Sequence, residues 1–292
     1  MRKFISIFIW FSFVILSFNV IVFCFAQNNY FKDYVKKPNK KFSNYIFSDS
    51  HGLPLKNGTE QYNVFNYSAG SETYIDIKRK LDFLLSNEYK IDTVYLTVGN
   101  HTLSTYRERM NNIDRSIVYA SPNHYDNYYS YVKEKYITYF FPIFSPKIRS
   151  ILKSFLLTKL SKMMSNKAGK PSKKWANLSE DEMLVKSQIR KDIQFSKNTK
   201  SLKLVNALSE IISICKQEDI EIIGLKFPLT KSYTTAIGNL NTGADSIFVE
   251  HQFKILDYTK NKKFTDKYFK NQDHLNTEGG ALLVDMIFNS SN

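Results

Sequence analysis

The side chains able to do chemistry in this sequence fall into four short polar clusters. Ser50 lies in Phe47-Ser48-Asp49-Ser50-His51-Gly52, and Gly70 in Asn66-Tyr67-Ser68-Ala69-Gly70-Ser71. Asn100 and His101 lie in Thr97-Val98-Gly99-Asn100-His101-Thr102, and His274 in Asn271-Gln272-Asp273-His274-Leu275-Asn276. Together they offer what acyl transfer through a serine requires: a hydroxyl nucleophile on a sharp turn, donors for the oxyanion, and an imidazole base. Ser50 is the nucleophile of the set, His274 its base, and the amide of Gly70, just ahead of a helix, an anion-binding donor. His51 either lines the pocket or is a solvated turn residue, and His101 either contacts a strand end or donates to the oxyanion. His124 and His251 have no comparable neighbours.

Other chemistries have less to stand on. Cys24 and Cys215 are the two cysteines, and no CxxC, HExxH, GxxxxGK[ST] or GxSxG pattern occurs. A metal, a cofactor, a phosphate-binding loop and an α/β-hydrolase elbow are therefore not expected. With 43% hydrophobic and 23% charged residues among 292, the chain has the composition of a globular protein with a buried core.

The elements that must position these clusters are legible as alternating apolar runs and helical stripes. Short β-rich runs at 44–48, 62–66, 92–98, 220–226 and 253–258 predict five strands of a mostly parallel sheet, a three-layer α/β fold. Three of the polar clusters then follow a strand, where the carboxyl edge of such a sheet opens its crevice, and the fourth follows the last strand region and opens the last helix. Residues 71–86 carry Tyr74, Ile77, Leu81 and Leu84 on one stripe, and residues 201–215 carry Leu204, Leu208, Ile211 and Ile212, so both are predicted crossover helices. A closing helix runs from about Thr277 to Phe288.

Residues 105–200 are too long for a crossover and are predicted to be a mostly helical insertion. From 147 to 203 there are fifteen Lys/Arg against four Asp/Glu, a net +11 of the chain's +14. Within it, residues 146–164 set Ile148, Ile151, Leu152, Phe155, Leu160 and Met163 on one face, with Lys147, Arg149, Lys153, Lys159 and Lys162 elsewhere. Such a helix either packs its stripe on the domain or lies on anionic lipid. Nucleic acid is not an expected partner of an exported chain.

Met1-Arg2-Lys3 precede an apolar run from Phe4 to Phe25, about the 20 residues needed to cross hydrocarbon. It reads as a membrane anchor, or as a signal segment cleaved after Ala26. Lys32, Lys36, Lys37, Lys40 and Lys41 in the tether at 27–43 outnumber Arg2 and Lys3, against the usual cytoplasmic bias of basic residues. A single leading segment nonetheless exports the chain attached to it, so the domain from 44 to 292 is expected outside the cytoplasm, at the cell surface or in the periplasm.

The order of the clusters resembles the SGNH (GDSL-like) hydrolase superfamily, in particular its membrane-anchored members that handle acyl groups on cell-envelope polysaccharides. The resemblance covers about 44–104 and 220–288. Ser48-Asp49-Ser50 keeps the Asp and Ser of that family's first block with Ser for its leading Gly. Gly70 matches the second block, and Asn100 the asparagine of the third, unless the register slips and His101 takes that place. His274 fits the last block, although Asn271 stands where the family has its acid. The resemblance implies that the amides of Ser50 and Gly70, with Asn100, hold the oxyanion, and that Asp273 orients His274 or the pair acts as a dyad. It implies a serine esterase or O-acyltransferase, acting on acetyl esters of an envelope or exported polysaccharide. From another class comes an inactive scaffold of the same fold that binds glycan or a membrane acyltransferase partner.

Overall fold

The computed structural model describes residues 1–164, 173–196 and 199–289, with 159–164 as backbone. Its centre is a five-stranded parallel sheet of β1 (Asn44–Phe47), β2 (Val64–Asn66), β3 (Thr93–Thr97), β4 (Glu221–Lys226) and β5 (Lys254–Asp257), in the order β2-β1-β3-β4-β5. All five predicted strands are present, each within about two residues of its expected bounds. Tyr45, Ile46 and Phe47 of the central β1 are fully buried, as a strand covered on both faces must be. Strand order reverses between β1 and β3, and at such a switch point the carboxyl ends diverge and leave a crevice.

The helices that cover the sheet derive from their stripes and caps. α1 (Arg2–Asn29) is long and apolar enough to cross a membrane or to serve as a signal anchor. α2 (Tyr74–Ser86) starts at a capping box in which the Asp76 carboxylate accepts from the Thr73 amide at 2.9 Å, and it buries Tyr74, Ile77, Leu81 and Leu84. It packs against the later crossover helix Leu202–Gln217. On another side of the core, Ile46, Val64 and Leu225 meet Leu283, Val284 and Ile287 of the closing helix Thr277–Phe288, which Asn276 caps through the Gly279 amide at 2.9 Å.

The chain divides into two compact units, Met1–Lys37 with Asp114–Pro171, and Pro38–Ile113 with Ser172–Asn292. The sheet lies in the second. The division differs from the predicted insertion, because α3 (Thr105–Arg109) and the later helix Glu180–Gln194, numbered α5 below, belong with the sheet. Charge was a poor guide there: the Glu180–Gln194 helix, for all its charges, buries Ser187 and Gln194 in the sheet unit. In the first unit, the basic helix α4 (Pro146–Met164) buries Ile148 with Val22 and Ala26 of α1 and with Phe31, and Ile151 and Leu152 pack beside them. Its first turns therefore pack as a core helix does, while Leu156 and Leu157 stay exposed. The side chains of Lys159, Leu160, Lys162 and Met163 lie outside the described residues.

The α-helices after α4 are, in chain order, α5 (Glu180–Gln194), α6 (Leu202–Gln217), α7 (Lys231–Ile237), α8 (Ala244–Glu250) and α9 (Thr277–Phe288). The N-terminal turn of α9 packs on the short turn Leu53–Leu55 just after Ser50. A Cβ at Gly280 would lie 2.7 Å from Pro54 Cβ and closer still to the Pro54 carbonyl oxygen, so only glycine allows this approach. Gly280→Ala should cost about 1–3 kcal/mol by overpacking and lower Tm by several degrees. Gly70→Ala, whose Cβ would meet only Leu53 Cδ1 at 3.9 Å, should leave Tm nearly unchanged. Thermal melts of the two variants check this, and equal melts would contradict the contact.

Candidate active site

Ser50 stands three residues beyond β1, on a turn closed by the Gly52 amide donating to the Asp49 carbonyl at 3.2 Å. Glycine is required at 52, because a Cβ there would fall 2.8 Å from Ser48 Cβ and overlap the Ser68 hydroxyl. The turn is tight without being strained at the nucleophile. Among the described residues the left-handed positions outside glycine are Asn63, Ser71, Glu88, Asp219 and Gln252, so that conformation falls at Ser71, after Gly70, and not at Ser50.

The loop that leads into α9 brings His274 to this turn. Ser50 Oγ lies 2.7 Å from His274 Nε2. On the other side of the ring, His274 Nδ1 is 2.9 Å from Asp273 Oδ1 and 3.0 Å from Asn271 Oδ1. Two acceptors at Nδ1 fix the proton there, so Nε2 carries the lone pair and Ser50 donates its hydroxyl hydrogen to it. Asn271 also accepts from the amides of Asp273 at 3.2 Å and His274 at 2.9 Å, which shapes the loop. Asp273 and Asn271, the two residues the sequence offered for this position, thus both reach Nδ1.

Asp273 is the most heavily engaged group of the site. It is 1% exposed, and its second oxygen accepts from Arg190 Nε at 2.8 Å and Gln194 Nε2 at 3.1 Å. Both donors come from α5, and the sequence reading missed them because that segment was assigned to the insertion. A signal existed: Arg190 and Gln194 are one helical turn apart on a helix with a Ser179/Glu182 capping box. Burial pushes the Asp273 carboxyl up, but the hydrogen bonds and charges of His274 and His51 outweigh it and hold it well below the usual range. Burial, and then the charge of His51, hold His274 below its ordinary value, so it is neutral at neutral pH.

His51 is buried rather than solvated. Its Nδ1 is 2.7 Å from Asp49 Oδ1, its Nε2 is 3.7 Å from Asp273 Oδ2, and its ring stacks on His274 at 4.4 Å and 13°. Burial lowers its basicity, but the two carboxylates outweigh this and raise it to about 9. Asp49 also pairs with Arg107 of α3 at 3.3 Å, and His101 Nε2 approaches its Oδ2 at 3.9 Å. His101 thus packs against the nucleophile turn. The ligand atoms of Asp49, His51 and His101, and of His51, Asp273 and His274, come within 4.8 Å of one another, as a metal site would need. Each carboxylate, however, already holds an arginine, the pattern of an ion-pair network.

The expected oxyanion donors are less uniform. The Gly70 turn is stapled by Glu72, which accepts from the Ala69 amide at 3.1 Å and pairs with the buried Lys80 at 2.6 Å, while Lys80 also donates to the Tyr67 carbonyl at 2.6 Å. Asn100 has a partner the sequence did not show. Its Nδ2 donates to the Leu240 carbonyl at 3.0 Å, so one N–H is committed to that loop and one is left. Beside these residues a cavity of about 30 Å3, lined in part by His51, Asn100, His101, Phe227 and Tyr233, has room for one small group.

Compared with protein-family models, with curated proteins and with solved structures, the chain matches none.

The His51 geometry has a measurable consequence. A histidine whose folded value is near 9, against 6.5 unfolded, contributes stability that is complete below pH 6.5 and lost as pH rises through 9. The Tm gap between the natural protein and His51→Gln should be widest near pH 6 and shrink toward about pH 9.5. A gap constant across that interval would mean that His51 carries no proton there.

Proposed function

We propose that the chain is a serine esterase or O-acyltransferase of the SGNH kind, held at a membrane by α1 with its sheet domain outside the cytoplasm. Its substrates are short acyl esters, acetyl foremost, of an envelope or exported polysaccharide. The observation that carries the reading is the 2.7 Å approach of Ser50 Oγ to His274 Nε2, with Asp273 at 2.9 Å behind the ring.

Ser50 attacks the acyl carbonyl as its proton passes to His274 Nε2, and Asp273 stabilises the imidazolium so formed. The amides of Ser50 and Gly70 and the remaining N–H of Asn100 receive the developing oxyanion. His274 returns the proton to the departing sugar oxygen, leaving the acyl group on Ser50. Water, or a second sugar hydroxyl, then gives its proton to His274 as it attacks the acyl carbon, and His274 returns that proton to the departing Ser50 Oγ, which regenerates the free serine.

The inactive-scaffold reading has one observation in its favour, the commitment of Asn100 to Leu240. A fluorophosphonate probe separates the two. Stoichiometric labelling of the natural protein, absent from Ser50→Ala, supports the enzyme, and an unlabelled folded protein supports the scaffold. With aryl acetates, Ser50→Ala and His274→Ala should each lose at least about a thousandfold in kcat/KM, and Asp273→Asn should lose more than Asn271→Ala. Turnover retained in Ser50→Ala would end the serine mechanism.

A further inference from the structure

Within the sheet unit an open cleft of about 640 Å3 runs between α5 and the loop Lys270–Gln272, in the range that small-molecule sites occupy. It abuts the candidate active site through two shared residues: Asn271, which accepts from His274 Nδ1, and Arg190, which holds Asp273. Trp175, 3% exposed and bonded through Nε1 to Asp266 at 3.2 Å, forms part of its wall.

The cleft combines two kinds of surface. Ile189 and Ile193, one helical turn apart on α5, stay 55% and 45% exposed, an apolar ledge that no core residue covers. Lys186 and Arg190, likewise one turn apart, form a basic row on the same helix, and Lys270 adds a third cation from the loop. Lys173 is matched by Glu182 at 3.3 Å and Arg190 by Asp273 at 2.8 Å. Lys186 and Lys270 have no acidic partner among the described residues.

A sugar ring has a C–H face that can lie on an aliphatic ledge and an edge of polar substituents. A neutral sugar would leave the two lysines without a purpose, and an acyl chain would leave them unused as well. A folded protein partner would need roughly 800 Å2 of complementary surface, more than one helix edge and a three-residue loop provide. We propose that this cleft is a binding site for an anionic glycan, one that carries carboxylate or phosphate groups placed against Lys186 and Lys270. The choice of a glycan rests on the acyl-transfer reading; the choice of negative charge rests on the cleft.

The test reads binding, not turnover, and uses the full chain in neutral detergent with Trp10→Phe, so that Trp175 is the sole tryptophan. Hexagalacturonate, a glycerol-phosphate hexamer, a neutral gluco-hexaose and a thymidine hexanucleotide are titrated against its emission. One or both of the first two should bind, weaken as salt rises, and lose at least tenfold in affinity in Lys186→Glu/Lys270→Glu with Tm unchanged; which binds tighter distinguishes carboxylate from phosphate. Lys186→Ala/Lys270→Ala should lose less. Equal binding of the neutral hexaose, equal binding of the oligonucleotide, or no binding at low salt overturns the proposal. Repeating the titration with Ser50→Ala separates the two ideas: binding retained while the natural protein fails to react with the fluorophosphonate would leave the cleft standing and the catalytic reading refuted.

Discussion

Asp273 is a buried carboxylate held from three parts of the chain: it accepts hydrogen bonds from His274 beside it and from Arg190 and Gln194 of α5, and it pairs at 3.7 Å with His51 of the turn after β1. A carboxylate taken out of water costs several kcal/mol unless its lone pairs are satisfied, so these donors have to be in place together. That requirement couples the α9 entry loop, the nucleophile turn and α5 into one arrangement. Asp49 repeats the device on a smaller scale with His51 and Arg107. The two carboxylates with their arginines form the frame in which the imidazoles are held.

Within that frame the three histidines of the crevice are made unequal. His51 lies between both carboxylates and keeps its proton, whereas His274 and His101 are depressed by burial and by the neighbouring charge of His51. A neutral ring with its lone pair on Ser50 is what a general base needs before reaction. Stacking of His51 on His274 at 4.4 Å also limits how far the His274 ring can tilt away from Ser50.

The sheet, its crossover helices, the three polar clusters past β1, β2 and β3 and the one at the start of α9 were legible in the sequence because each depends on local periodicity and on the residues just past a strand or ahead of a helix. Ser50 and His274, read from clusters at opposite ends of the chain, meet in the structure. What local pattern cannot carry is the destination of a long side chain. Arg190 and Gln194 look like the solvated face of a basic helix until α5 is docked, and His51 looks like a turn residue until Asp49 and Asp273 are seen on either side of it. Asn100 was placed correctly at the end of β3, yet its amide answers to a carbonyl 140 residues away.

The contact of α9 with Pro54 joins the last helix to the chain just after β1, and Ser50 is 224 residues from His274, its hydrogen-bond partner. During synthesis the serine therefore emerges long before the imidazole that accepts its hydrogen bond. Until the loop that leads into α9 docks, that bond cannot form. Pairings of such sequence separation also close slowly, because the intervening chain must be ordered first. The Ser50–His274 hydrogen bond thus needs both ends of the sheet unit in place, and its formation reports that they have met.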